Sequence, residues 1–117
     1  MVLLVDDDED VRDSLGDVIK LRGFSLQTAS NGLEALQLLQ NEGLPCVILL
    51  DLVMPVMDGW QFLTKLQALP ELSSVPVVVI SAHAASNPPT GVDRILAKPI
   101  ELADLYAAIE EHCSTVN

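Results

Sequence analysis

At 117 residues the chain has room for one domain with a single substantial core. Half of its residues are apolar, yet no run reaches bilayer-spanning length and no basic n-region leads into an apolar segment with a cleavage site, so the expected setting is cytoplasmic with no membrane contact. Six Lys and Arg against seventeen Asp and Glu give a formal net charge of −11; without a basic cluster, a nucleic-acid surface is excluded.

The chain opens on a continuous apolar run, Val2-Leu3-Leu4-Val5, which reads as a strand of a parallel sheet covered on both faces and ends in Asp6-Asp7. Asp8, Glu9 and Asp10 read as a loop and helix start, because acids favour a helix N-terminus. Val11, Leu15, Val18 and Ile19 then follow helical spacing to a stop at Gly23, predicting helix one over residues 9–22. Phe24 to Thr28 alternates apolar and polar residues, as a half-exposed edge strand does. Asn31 and Glu34 have capping-box spacing ahead of Leu36 and Leu39, which predicts a second helix ending near Asn41.

Cys46 to Leu50 is the third strand and delivers Asp51. A loop with Pro55 and Gly59 leads to a helix with Phe62, Leu63 and Leu66 inward, ended by Pro70. Val75 to Ile80 is the fourth strand, running into Ser81; Arg94 to Ala97 is the fifth, running into Lys98-Pro99; and Leu102, Leu105, Tyr106 and Ile109 mark a final helix. Strand and helix alternate throughout, which predicts the α/β class with right-handed crossovers. With the alternating strand at an edge, the natural arrangement is one flavodoxin-like, doubly wound, five-stranded parallel sheet of order 2-1-3-4-5. The two cysteines, Cys46 and Cys113, read as thiols, since a small domain with this core needs no staple; neither they nor His83 and His112 lie at metal-ligand spacing.

In such a sheet ligands bind outside the carboxyl ends of the strands, where Asp6, Asp7, Asp51, Ser81 and Lys98 converge. Carboxylates in contact repel, so one takes a proton or a divalent cation binds. An all-oxygen set with no His or Cys selects a hard metal that keeps several waters, which points to Mg²⁺ between Asp7 and Asp51 with Asp6 acting through water. Asp51 reads as a nucleophile toward a phosphoryl group, giving an acyl phosphate; the plainer alternative is a cap or turn aspartate. Lys98 offers positive charge and Ser81 a hydroxyl donor to the transferred oxygens. Asp58-Gly59 reads as a turn and helix start with no chemical role.

The ordered set of Asp6-Asp7, Asp51 with Met54-Pro55 and Met57-Asp58-Gly59 behind it, Ser81-Ala82 and Lys98-Pro99 resembles the receiver domain of two-component response regulators, from Val2 to about Cys113. The resemblance implies a single receiver domain over 1–117. It implies phosphorylation of Asp51 by a sensor histidine kinase or histidine phosphotransfer protein, Mg²⁺ dependence, and signalling to a downstream protein through altered surface contacts. It also implies a phosphoacceptor that assists its own phosphorylation and dephosphorylation and is not otherwise an enzyme. It adds the backbone carbonyl of Val53 to the metal site, a cis Lys98-Pro99 bond that aims the ammonium inward, and a place for His83 beside the route of water to the acyl phosphate. The chain ends soon after the last helical pattern, which fits either a lone receiver or a domain boundary.

Two departures bear on output. Ile95 stands where the family's aromatic switch residue lies, three before the lysine, so ring rotation cannot carry the signal. Residues 82–92 are barely long enough for a crossover, and Pro88-Pro89 removes two N–H donors, so helix four of this fold, between the fourth and fifth strands, is expected to be shortened or missing. In its place an irregular segment is expected around Ser86 to Gly91, with no dimer through that face. Two other functional classes fit parts of the pattern: a pseudo-receiver interaction module working without phosphorylation, and a haloacid-dehalogenase-like phosphohydrolase using Asp6-x-Asp8. The second wants Thr or Val where this chain has Asp10.

Overall fold

The computed structural model describes residues 1–82 and 88–113. Its elements in chain order are β1 (Val2–Val5), α1 (Glu9–Leu21), β2 (Leu26–Ala29), α2 (Gly32–Asn41), β3 (Val47–Leu50), α3 (Gly59–Ala68), β4 (Val77–Ile80), β5 (Arg94–Leu96) and α4 (Leu102–Glu110). All strand pairs are parallel and the sheet order is β2-β1-β3-β4-β5, the doubly wound arrangement expected from the sequence. The continuous apolar runs β1, β3 and β4 are buried at every residue, whereas β2, at one edge, is only partly covered.

Because side chains alternate along a strand, each central strand feeds two cores. Leu3, Val5, Ile48, Leu50, Val77 and Val79 pack beneath α2 and α3 with Leu36, Phe62, Leu63 and Leu66. Val2, Leu4, Val47, Leu49, Val78 and Ile80 pack beneath α1 and α4 with Ile19, Leu105, Ala108 and Ile109. This two-sided burial is why runs without polar alternation form the middle of the sheet.

Local signals fix the helix ends. The Asp8 side chain caps α1 by accepting from the N–H groups of Asp10 and Val11, as the acidic run implied. Past its other end Gly23 adopts a φ of 98°, a left-handed turn that glycine makes without steric cost. Asn31 caps α2 by accepting from the Glu34 N–H, while the Glu34 carboxylate takes the Ser30 hydroxyl. Asp58 and Gln61 form a reciprocal capping box on α3, the helix start expected there.

Two strand starts and the state of the cysteines need correction; Leu102 opens α4, as its place in the final helical pattern implied, and is 49% exposed. β2 runs from Leu26 to Ala29 and β4 from Val77 to Ile80, each two residues later than its start was placed. The largest correction concerns the cysteines, read as thiols: Cys46 and Cys113 are disulfide-bonded, with Cα atoms 5.4 Å apart. Helices in this fold return antiparallel to the strands, so the end of α4 arrives at the amino edge of the sheet, where Cys46 enters β3.

Among the described residues no helix lies between β4 and β5, which agrees with the shortened crossover. Residues 88–92 lie instead along α3, where the Gln67 side-chain amide donates to the Thr90 carbonyl at 3.1 Å and Val92 packs against the α2–α3 core. The expectations about His83 and about Ser86 and Asn87 concern residues outside those described.

Candidate functional site

β1 and β3 are neighbours in register, Val5 beside Leu50, so Asp6 and Asp51 leave the sheet side by side. Both are buried, at 2% and 8% exposure, while Asp7 is exposed. One carboxylate oxygen from each of Asp6, Asp7 and Asp51 falls within 4.8 Å of the others. The buried pair is held by backbone donors: the Asp8 N–H gives to Asp6 Oδ1 at 2.9 Å and the Leu52 N–H to Asp51 Oδ1 at 2.8 Å.

Lys98 supplies the opposing charge. Its Nζ lies 3.2 Å from Asp6 Oδ2 and 3.8 Å from Asp51 Oδ2, with the side chain still 29% exposed. The Lys98-Pro99 peptide is cis, as the resemblance implied. Ser81 follows β4, is 1% exposed, and donates its N–H to the Leu96 carbonyl of β5, so it sits between Lys98 and Asp51 in strand order. All the polar residues expected at this edge are thus brought to it. Val53, proposed to act through its carbonyl, is 49% exposed just beyond Asp51.

Burial pushes the Asp51 carboxyl above its ordinary value, and Asp6 adds to the rise; Lys98 and the Leu52 N–H pull the other way, with Asp7 a smaller upward contribution. A site that resists ionisation of Asp51 without more positive charge suits a hard cation, and the donor set is all oxygen. Among the described residues, Asp6, Asp7 and Asp51 are the carboxylates that lie close enough together to hold it.

Two residues support the site: Arg12, which the sequence did not single out, and Gly59, which it marked only as a turn and helix start. Arg12, one turn into α1, donates from Nη1 to the Asp6 carbonyl at 2.7 Å and pins the turn that presents both N-terminal acids. Gly59 donates its N–H to the Leu52 carbonyl, and a β-carbon there would lie 2.7 Å from Asp51 O and from Leu52 Cα. The start of α3 therefore presses directly on the segment that aims Asp51. A cation one turn beyond an acid pair, and a glycine eight residues after Asp51, are the available signals.

The response regulator receiver domain family model matches residues 2–110. The transcriptional regulatory protein PrrA of Mycobacterium tuberculosis is 41% identical over 114 residues, covering 93% of this chain and 48% of its own length; the chain thus spans about half the length of such curated relatives. Among solved structures, the chemotaxis response regulator CheY4 of Vibrio cholerae superposes with a TM-score of 0.85 at 25% identity, over 96% of this chain and 97% of that one. The response regulator TrrA of Thermotoga maritima, solved in complex with Mg²⁺–BeF, shares the fold at a TM-score of 0.84 and 23% identity, over 96% of this chain and 97% of that one. By the fold, the acidic edge and these likenesses together, the chain belongs to the response regulator receiver domain family.

Proposed function

We propose that residues 1–117 form one receiver domain, working in the cytoplasm, that accepts a phosphoryl group on Asp51 from a phosphohistidine on a sensor kinase or phosphotransfer protein. The observation that carries this reading is the convergence of Asp6, Asp7 and Asp51 within 4.8 Å beside Lys98. In the transfer, an Asp51 carboxylate oxygen attacks phosphorus, the phosphorus–nitrogen bond of the donor breaks, and the imidazole leaves. The Leu52 N–H fixes the rotation of the Asp51 carboxylate. Lys98 exchanges a carboxylate partner for a transferred phosphoryl oxygen, and the Ser81 hydroxyl donates to another.

Mg²⁺ would be held by Asp6, Asp7, Asp51 and the Val53 carbonyl, and when bound would supply charge neutralisation for the attacking and transferred oxygens. A groove of about 310 Å³ bordered by Val11, Leu15, Pro99 and Ile100 opens beside Lys98, giving a protein donor an apolar foothold next to the acids. The exposed Ile95 on β5, and a crossover with no helix among its described residues, set this receiver's output surface apart from one that turns on an aromatic rotamer.

The test is incubation with acetyl phosphate with and without Mg²⁺, followed by intact mass. A gain of one phosphoryl group that requires the metal supports the proposal. No gain under any condition favours the pseudo-receiver, and turnover of p-nitrophenyl phosphate favours the phosphohydrolase.

A further inference from the structure

The Cys46–Cys113 bond closes 67 residues of sequence and lies at the opposite end of β3 from Asp51. Cys46 immediately precedes β3, and Cys113 follows the last turn of α4, so neither sulfur belongs to a strand or helix. Backbone and core contacts hold each residue in place beside the bond, and Met1 also meets the Cys46 sulfur. The Cys46 N–H donates to the Met1 carbonyl at 2.8 Å and the Cys113 N–H to the Ile109 carbonyl at 2.9 Å, and Cys113 shares the α1–α4 core with Val47, Ala108 and Ile109. Both sheet faces are covered by apolar cores, so the fold does not depend on a cross-link to close.

The same end of α4 gathers the helix's other anchors. The Tyr106 hydroxyl donates to the Val18 carbonyl at 3.0 Å, and the Arg22 guanidinium lies 4.5 Å over the Tyr106 ring. Arg22 pairs with Glu110, and Arg94 with Glu111. The amino end is looser: Glu101 makes no side-chain cap bond and Leu102 is exposed. A bond at residue 113 therefore reinforces the end already tied down.

We propose that Cys46 and Cys113 are a reversible redox-modification site, oxidised by low-molecular-weight disulfides, whose closure locks the last turn of α4 to the amino end of β3. Cys46 is the more accessible of the two. Its thiolate attacks one sulfur of the reagent disulfide, giving a mixed disulfide and one released thiolate; the Cys113 thiolate then attacks the Cys46 sulfur and expels the second. The protein pair loses two electrons and two protons, and the reagent disulfide is reduced to two thiols. A reducing dithiol reverses the exchange.

The experiment equilibrates the full chain in buffers of graded reduced-to-oxidised glutathione ratio, traps free thiols with N-ethylmaleimide, and reads intact mass without reductant. A single reversible transition from doubly alkylated to unalkylated monomer is expected. Thermal unfolding of the oxidised form should move up by roughly 10 °C or more, and hydrogen exchange should slow at the last turn of α4. Cys113→Ser should stop at a glutathione adduct on Cys46, and Cys46→Ser should react far more slowly. The double variant, whose fold circular dichroism checks, should lose the redox-dependent shift. Persistent double alkylation at the most oxidising ratio, disulfide-linked dimers in place of the monomer, a bond that native-state dithiol cannot open, or equal unfolding midpoints for the two forms would each overturn the proposal.

Discussion

Lys98 Nζ stands 3.2 Å from Asp6 Oδ2, closer than the 3.8 Å that separates it from Asp51 Oδ2. The ammonium follows the edge strand β5, yet it reaches past the end of β4 to carboxylates on β3 and β1. One partly exposed cation thereby offsets two buried acids. Replacing it with Met, which keeps length but not charge, should cost about 2 kcal/mol at neutral pH, and added Mg²⁺ should recover part of the loss. Urea unfolding with and without the metal measures both.

Asp51→Asn should raise stability at neutral pH. Burial and Asp6 raise the Asp51 carboxyl in the folded state, so the folded chain holds that proton more tightly than the unfolded one does. Such a group subtracts from stability above its folded pKa, and the subtraction fades as pH falls through that value toward the ordinary carboxylate range. Wild-type and Asn unfolding midpoints should therefore differ most at neutral pH and converge in acid, as thermal scans across pH will show.

Asp7 and Asp8 are adjacent but predict opposite phenotypes. Asp7→Ala should abolish Mg²⁺ binding with little change in stability, because its side chain is exposed at the acidic edge. Asp8→Ala should leave the metal affinity intact and cost about 1 kcal/mol by uncapping α1. Isothermal titration and chemical denaturation on the two variants distinguish the roles.

Gly59→Ala should cost about 3 kcal/mol, the upper end for overpacking, because the atoms it meets at 2.7 Å are backbone. The same change shifts the segment that aims Asp51, so phosphoryl labelling should slow as well. Urea unfolding alongside labelling rate checks both effects.

The parts of the fold legible in the sequence were those governed by local pattern. Buried runs such as Val47–Leu50 and Val77–Ile80 announce central strands, and Asp8, Asn31 and Asp58 announce helix starts because capping acts over three residues. The acidic edge was legible because strand order alone brings Asp6 and Asp51 together. Relationships across long sequence separation were not. Nothing local tells Cys46 that Cys113 returns to it; the pairing follows from where an antiparallel helix ends, not from whether the core needs a staple. Leu102 fits the apolar period that announces α4, yet period alone does not show that it stays exposed at the start of that helix. Arg12 was passed over because its partner is a backbone carbonyl, which carries no residue signature.

The most direct test of the central claim compares wild type with Asp51→Asn after exposure to a phosphohistidine donor and Mg²⁺, reading intact mass and the labelled peptide. The account predicts one phosphoryl group on the wild-type peptide containing Asp51 and none on the Asn variant, both proteins remaining folded. Equal labelling of the two, or a phosphoryl group located on another peptide, would contradict it.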